Sequence, residues 1–366
     1  MSKFTCPYCI NTYSTTEVQY VCPDCGQVAT PTGMEKIIGN VKCKQSGCGR
    51  IATTRRCPKC GHAVQHDSIV TPNLPFSIVG VSNSGKTNYI TVMLHELGRA
   101  AKLRLALSAQ DGETRNHQSQ NKKLIYDLHT RPENTAAGES LPQIWRIKNV
   151  AKQRGNNVPT YTFTIFDGAG EDHENLDPNS VVCRYIASSK AIILTVDPLI
   201  LESVRTGNIV DPNVRTNSLA GSDGSESSAE VVVNNVAQYL KVATGTKTNK
   251  KLKIPVAVVL TKFDTVINHP AFSDSALIKQ EGISLITGKV DEGEFRQIDS
   301  EIRSWLEEID ETPFFNALDS NFQEFQFFGV SSFGEPPKDA DTLNPIHPHR
   351  VLDPILWLFH KNGFVD

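Results

Sequence analysis

"GVSNSGKT", Gly80 to Thr87, is the stretch on which the reading of this chain turns. It fits G-x-x-x-x-G-K-[ST], four specified positions that arise by chance in a chain of ordinary length at roughly the one-in-a-hundred level, so its surroundings must carry the argument. Immediately before it, "FSIVG" is a short apolar run of strand character. Immediately after it, in "GKTNYITVMLHELGRA", Ile90, Leu94 and Leu97 recur at helical spacing. A glycine turn between strand and helix aims the N–H groups of the loop and of the helix N-terminus at one anion, and only small residues let the backbone approach that closely. In such a loop Lys86 reaches the β and γ phosphates of a nucleotide and the Thr87 hydroxyl ligates Mg2+. Gly80, Ser82, Asn83, Ser84, Gly85, Lys86 and Thr87 are therefore predicted to hold the nucleotide.

Outward from this point the chain alternates. "LRLALSA" from Leu103 reads as a strand and "TRNHQSQNKKLIYDLH" as a helix. "PQIWRIKNV", "YTFTIFDGAG" and "KAIILTVDP" read as three further strands. Residues 201–228, ending in "AGSDGSESS", are irregular and glycine-serine rich, and are expected to form a mobile insertion. Then come a helix in "SAEVVVNNVAQYLKVA", a buried strand in "IPVAVVLTKFD", an amphipathic helix in "FRQIDSEIRSWLEEI", a last strand in "FQFFGVSS" and a closing helix in "RVLDPILWLFHKNG", with Gly363 as its cap. The expected fold class is α/β: an open, mostly parallel sheet with helices on both faces over residues 76–366, with ligands at the carboxyl ends of its strands.

Eight of nine cysteines precede residue 61: Cys6 and Cys9, Cys22 and Cys25, Cys43 and Cys48, Cys57 and Cys60. In a cytosolic chain such pairs are metal ligands more often than disulfides, and two C-x-x-C-type turns complete a tetrahedral Zn2+ site. Two successive zinc ribbons are expected, at 1–35 and 36–70, followed by "TPNLP" (71–75) as linker. His62 and His66 are alternative ligands. With few large apolar side chains in this front segment, the metal supplies its core. Cys183, flanked by apolar residues in "VVCRYI", reads as a buried helix residue. His347 and His349 fall in a proline-rich surface loop and are assigned no chemistry.

At 366 residues and formal net charge -3, the composition excludes a nucleic-acid coat, and no apolar run approaches the ~20 residues of a spanning helix. The start "MSKFTCPYCI" carries no apolar signal segment, so a cytoplasmic home is expected. Within the front segment Lys42, Lys44, Arg50, Arg55, Arg56 and Lys59 make the second ribbon basic, which leaves nucleic-acid contact open beside protein docking.

Three more stretches lie where strands end. "FDGAGE" supplies Asp167, able to hold Mg2+ through water, and Gly170, whose N–H can meet a γ phosphate. "TKFD" supplies Thr261, Lys262 and Asp264, the last a carboxylate that can accept both N1–H and N2–H2 of guanine. "VSSFG" supplies Ser331 and Ser332, in the place of a short loop whose N–H meets guanine O6. In loop, D-x-x-G, T-K-x-D and serine turn, over roughly residues 75–362, the chain resembles the P-loop GTPases related to translation factors, often called TRAFAC. A narrower likeness, to bacterial zinc-ribbon GTPases of defence-type gene neighbourhoods, rests on the eight-cysteine front and the "RVLDPILWL" end.

The resemblance implies a GTP-hydrolysing, Mg2+-dependent switch whose ribbons contact a partner. The alternative is an adaptor that holds GTP or GDP with little turnover while the ribbons dock on protein or nucleic acid, and an ATPase is a third reading. Glu171 stands where many relatives carry a water-orienting glutamine, with His173 as a substitute, so slow hydrolysis is expected. The switch threonine is Thr135, or Thr130, with Arg131 as an internal arginine finger. Thr261 replaces the usual asparagine, so a weaker tether to the phosphate loop is expected. Asn83 stands where, in relatives reading G-x-x-N-x-G-K-[ST], an asparagine helps hold K+ beside the phosphates, and the same role is the expectation here.

Overall fold

The computed structural model describes residues 3–33, 35, 40–80, 83–132, 142–167, 180–207, 209–210, 212–218, 228–339 and 342–366. Among these, seven strands form one sheet: β6 (Asn73–Gly80), β7 (Leu105–Ala109), β8 (Pro142–Asn149), β9 (Thr160–Asp167), β10 (Ala191–Val196), β11 (Val256–Leu260) and β12 (Phe325–Gly329). Their spatial order is β12-β11-β10-β6-β9-β8-β7. β6, β9, β10, β11 and β12 run parallel, while β8 is antiparallel to both β9 and β7. The expected open, mostly parallel sheet is present.

The central strands are apolar on both sides because both faces are covered. Along β10, Ile192, Leu194 and Val196 enter one core and Ala191 and Ile193 the other. Along β11, Val256, Val258 and Leu260 alternate likewise with Ala257 and Val259. The first core is closed by α4 (Val181–Ser188), α5 (Ala229–Thr244) and α7 (Thr312–Asn321), through Tyr185, Val232, Val236 and Phe314. The second is closed by α2 (Lys86–Arg99) and α8 (Asp353–Lys361), through Tyr89, Met93, Ile355 and Phe359. α6 (Glu292–Glu308) lies against β12 and gives Phe295 to one core and Trp305 to the other. α3 (Gly112–Lys122) packs on α2. Gly363, in left-handed geometry at φ 70°, donates to His360 O and ends α8. No helix among the described residues is long and apolar enough to cross a membrane.

Two expectations are corrected here. "TPNLP" is not a linker: Asn73, Leu74 and Pro75 belong to β6, in register with Thr162, Phe163 and Thr164. Pro75 is tolerated because the ladder with β10 begins one residue later, at Phe76↔Ala191, so the N–H it lacks has no partner to lose. Its carbonyl still accepts from Lys190 N at 2.8 Å. Residues 201–206 are not irregular insertion either: Leu201 and the helix Glu202–Thr206 pack down, with Leu201 and Val204 in the first core. Ser228 caps α5 by accepting from Val231 N. Residues 219–227 lie outside the described residues.

The front segment is one interleaved unit rather than two ribbons in succession. β1 (Lys3–Thr5) and β2 (Thr12–Ser14) form a hairpin. β3 (Gln19–Val21) is the middle of a three-stranded antiparallel sheet between β4 (Val28–Ala29) and β5 (Thr54–Arg56), so a strand from the second half completes the first. A short helix, α1 (His66–Val70), joins this unit to β6. Its apolar core is small: Phe4, Val18, Val64 and Ile69 around Cys6 and Cys57.

Candidate functional site

The eight cysteines gather into two groups of four, Cys6/Cys9/Cys57/Cys60 and Cys22/Cys25/Cys43/Cys48, each with its sulfurs within 4.8 Å of one another. Sγ–Sγ distances are 3.8 Å for Cys6–Cys60, 3.7 Å for Cys9–Cys57, 3.6 Å for Cys22–Cys48 and 3.5 Å for Cys25–Cys43. Four sulfurs about 2.3 Å from one tetrahedral ion stand about 3.8 Å apart, whereas bonded sulfurs stand about 2.0 Å apart. The donor set fits Zn2+, with no histidine in either group; His62 instead stacks on Tyr8.

The pairing, however, is nested. β3 and β5 are antiparallel, with Gln19 opposite Arg56 and Val21 opposite Thr54. Cys22 and Cys57 therefore leave the ladder at opposite ends. Cys57 emerges beside the Cys6–Cys9 turn and Cys22 points toward the Cys43–Cys48 loop. Replacing Cys6 and Cys57 together is expected to leave one Zn2+ per chain, and replacing Cys6 and Cys22 together to leave none. Metal analysis of the two purified variants checks this, and the reverse result would restore sequential pairing.

At the carboxyl end of β6, Gly80 lies so close to β10 that a methyl group in place of its hydrogen would run into Thr195 and Ser84. Gly85 sits at φ 77° and opens α2, a conformation that disfavours any side chain. Asn83 takes φ 60°. Ser84 is fully buried, its hydroxyl 2.9 Å from Thr195 Oγ1. Lys86, buried at the start of α2, donates to Gly80 O at 3.1 Å and so spans the loop from inside.

Asp167 ends β9, the strand next to β6, and that adjacency brings its Oδ2 within 3.0 Å of the donating Thr87 hydroxyl. Burial pushes the Asp167 carboxyl above the usual range, with Lys86, Thr87 and His117 acting against the rise. Its other oxygen, Oδ1, is buried without a hydrogen-bond partner among the described residues. A buried carboxylate oxygen left unpaired, with a hydroxyl oxygen beside the same carboxylate, is a fitting place for a hard cation.

Across the sheet, β11 ends in the T-K-x-D turn. The Thr261 hydroxyl lies 2.7 Å from Ser84 O and 3.2 Å from Val196 O; its single proton serves the shorter contact, and the Thr261 N–H binds Val196 O at 2.9 Å. The tether expected to be weak is thus made by the threonine itself. Lys262, at φ 48°, pairs at 2.5 Å with Asp197, a carboxylate 1% exposed at the end of β10. Asp197 belongs to none of the motifs read from the sequence. Its one signal was an acidic residue directly after the apolar run "AIILTV".

Asp264 follows, its carboxyl raised by burial, opposed by a hydrogen bond to Ser331 and by Lys262, and pushed further by Asp197. Ser331 does not serve as the expected backbone donor, because its N–H is committed to His349 O at 3.0 Å while its hydroxyl accepts from Gly334 N. The Ser332 N–H carries no hydrogen bond among the described residues. Thr130 is committed as well, with both its N–H and its hydroxyl directed at Leu124 O. Ser82, Thr135, Gly170, Glu171 and His173 lie outside the described residues. Cys183 is buried in α4 as expected.

No known family's profile matches the chain, and no curated protein matches it in sequence. Solved structures that align with it include the GTPase-like domain of S. cerevisiae Ski7 bound to GDP and inorganic phosphate, at 15% identity and TM-score 0.32 over 72% of this chain and 43% of that one. The same domain bound to GTP aligns at 16% and 0.31 over the same shares. Sup35 complexed with GDP aligns at 9% and 0.25, over 72% of this chain and 38% of that one. The chain thus spans under half the length of these proteins, and likenesses this slight carry no ligand or activity across.

Proposed function

We propose that this chain is a guanine-nucleotide switch that binds GTP with Mg2+ and hydrolyses it slowly, its cysteine unit serving as the contact for a partner. The observation that carries the reading is the Thr261 hydroxyl on Ser84 O. Through that bond the phosphate loop and the turn bearing Asp264 become one body, as a ligand with a phosphate tail and a purine head requires.

Within that body each residue has a task. Lys86 and the N–H groups at the start of α2 bind the phosphates. Thr87 and Asp167 would hold Mg2+, which neutralises charge building on the phosphate oxygens. Asp264 accepts from the guanine edge and Ser332 N–H donates to O6. Adenine offers a lone pair at N1 and no amine at C2, so it would leave the Asp264 oxygens unsatisfied, a mismatch that can cost about 10^4-fold. Thr135, Gly170 and Glu171 are assigned to the switch segments, with the Glu171 charge slowing attack by water.

Phosphate release from GTP tests the enzyme. Lys86→Ala and Asp167→Ala proteins are expected to fall about 10^2-fold or more below wild type, the usual scale for removing a preorganised charge partner. Wild-type release no greater than theirs would leave a nucleotide-holding adaptor.

A further inference from the structure

One set of contacts has no part in the site as so far described. The turn from Cys6 to Ile10 meets the sheet domain through three residues, Pro7, Tyr8 and Ile10. Tyr185 of α4, fully buried, donates its hydroxyl to Pro7 O, and its ring stacks on Phe166 with centroids 4.3 Å apart and planes 10° from parallel. Phe166 immediately precedes Asp167. Ile10, the residue after Cys9, is held at φ 58° and lies in the same core as Phe166, Val182 and Tyr185.

On the other flank, Tyr8 donates to Asp111 Oδ2 at 2.8 Å. The second Asp111 oxygen accepts from Thr114 N at 2.6 Å and caps α3. α3 carries His117, which lies near enough to lower the Asp167 carboxyl, and Gln118, which donates to Thr91 O of the phosphate-loop helix at 2.9 Å. The turn that presents Pro7 and Tyr8 is closed by Ile10 N on Cys6 O at 2.9 Å and by the gathering of four sulfurs. An ion bound by those sulfurs would tie the turn to Cys57 and Cys60 as well as to the sheet domain.

We propose that Tyr185 and Tyr8 are positioning residues: through them the Cys6/Cys9/Cys57/Cys60 loop sets the Asp167 carboxylate, so that Zn2+ at the cysteines and Mg2+–GTP at the phosphate loop bind cooperatively. The inference rests on the nucleotide reading above. Coupling of this kind is reciprocal: if bound Zn2+ raises affinity for nucleotide, bound nucleotide must raise affinity for Zn2+ by the same factor, and a gain in affinity falls mainly on the rate of loss.

Tyr185→Phe isolates the link, because phenylalanine keeps the ring on Phe166 and removes only the bond to Pro7. Zn2+ release to a chromogenic chelator is followed with and without Mg2+–GTP. In wild type, Mg2+–GTP is expected to slow the loss of one of the two Zn2+ equivalents about fivefold or more, and in Tyr185→Phe by less than about twofold. Tyr8→Phe, acting from the α3 side, should also shrink the ratio. A merely structural role would hasten Zn2+ loss equally in both conditions and leave the ratio at its wild-type value, which would overturn the proposal. So would a wild-type ratio of one in protein shown by titration to bind GTP. A wild type that binds no GTP would instead overturn the nucleotide reading, and the coupling with it.

Discussion

An Asp264→Asn protein is expected to lose GTP affinity on the order of 10^3-fold and to bind xanthosine triphosphate in its place. Two hydrogen bonds from guanine to a charged, half-buried acceptor contribute about 1.5–3 kcal/mol each, and asparagine meets the N2 amine with the NH2 of its own amide. Xanthine keeps the N1–H donor but carries a carbonyl at C2, which suits the amide. Competition titrations with GTP, xanthosine triphosphate and ATP read the exchange; an unchanged preference would place base recognition elsewhere. The carboxyl also sets a pH dependence. Burial raises it above the ordinary range, and guanine needs its ionised form, so GTP affinity should decline as pH falls through that raised range. The asparagine variant should lack this decline.

Removing both metal ions is expected to unfold the front unit and leave the sheet standing. The front core holds only a few apolar side chains besides its cysteines, whereas structural Zn2+ binding contributes about 10–16 kcal/mol at neutral pH. Hydrogen exchange after treatment with a strong chelator should show lost protection over residues 3–70 and retained protection over β6 and β9–β12. Full protection without metal would mean that contacts such as Arg146 Nη1 with Asp67 Oδ2, at 2.6 Å, hold the unit unaided.

The glycine-lysine loop after β6, the strand ending in Asp167 and the turn bearing Asp264 were legible as structure because each is local: a glycine-lysine run, an apolar strand and a terminal carboxylate within a few residues. What escaped is set by distant pairing. Which cysteine turns share an ion depends on β5 joining β3 antiparallel, and nothing in the spacing of C-x-x-C turns encodes that ladder. "TPNLP" carries two prolines, yet Pro75 enters a strand because its neighbour on that side starts one residue later. Leu201 and Val204 precede a glycine-serine stretch, and only the apolar core beside them shows that they belong to it. Thr261 reads as a weaker substitute for asparagine until Ser84 O is placed within reach of its hydroxyl.

The nesting of the cysteines also fixes an order of assembly. Cys22 and Cys48 are separated by 26 positions, and Cys6 and Cys60 by 54. As the chain leaves the ribosome, the inner four can capture their ion once Cys48 has emerged, while Cys6 and Cys9 wait for Cys57 and Cys60. Both ligand sets are complete before Gly80 emerges, so the surface formed by Pro7, Tyr8 and Ile10 can be finished first and the sheet laid down against it.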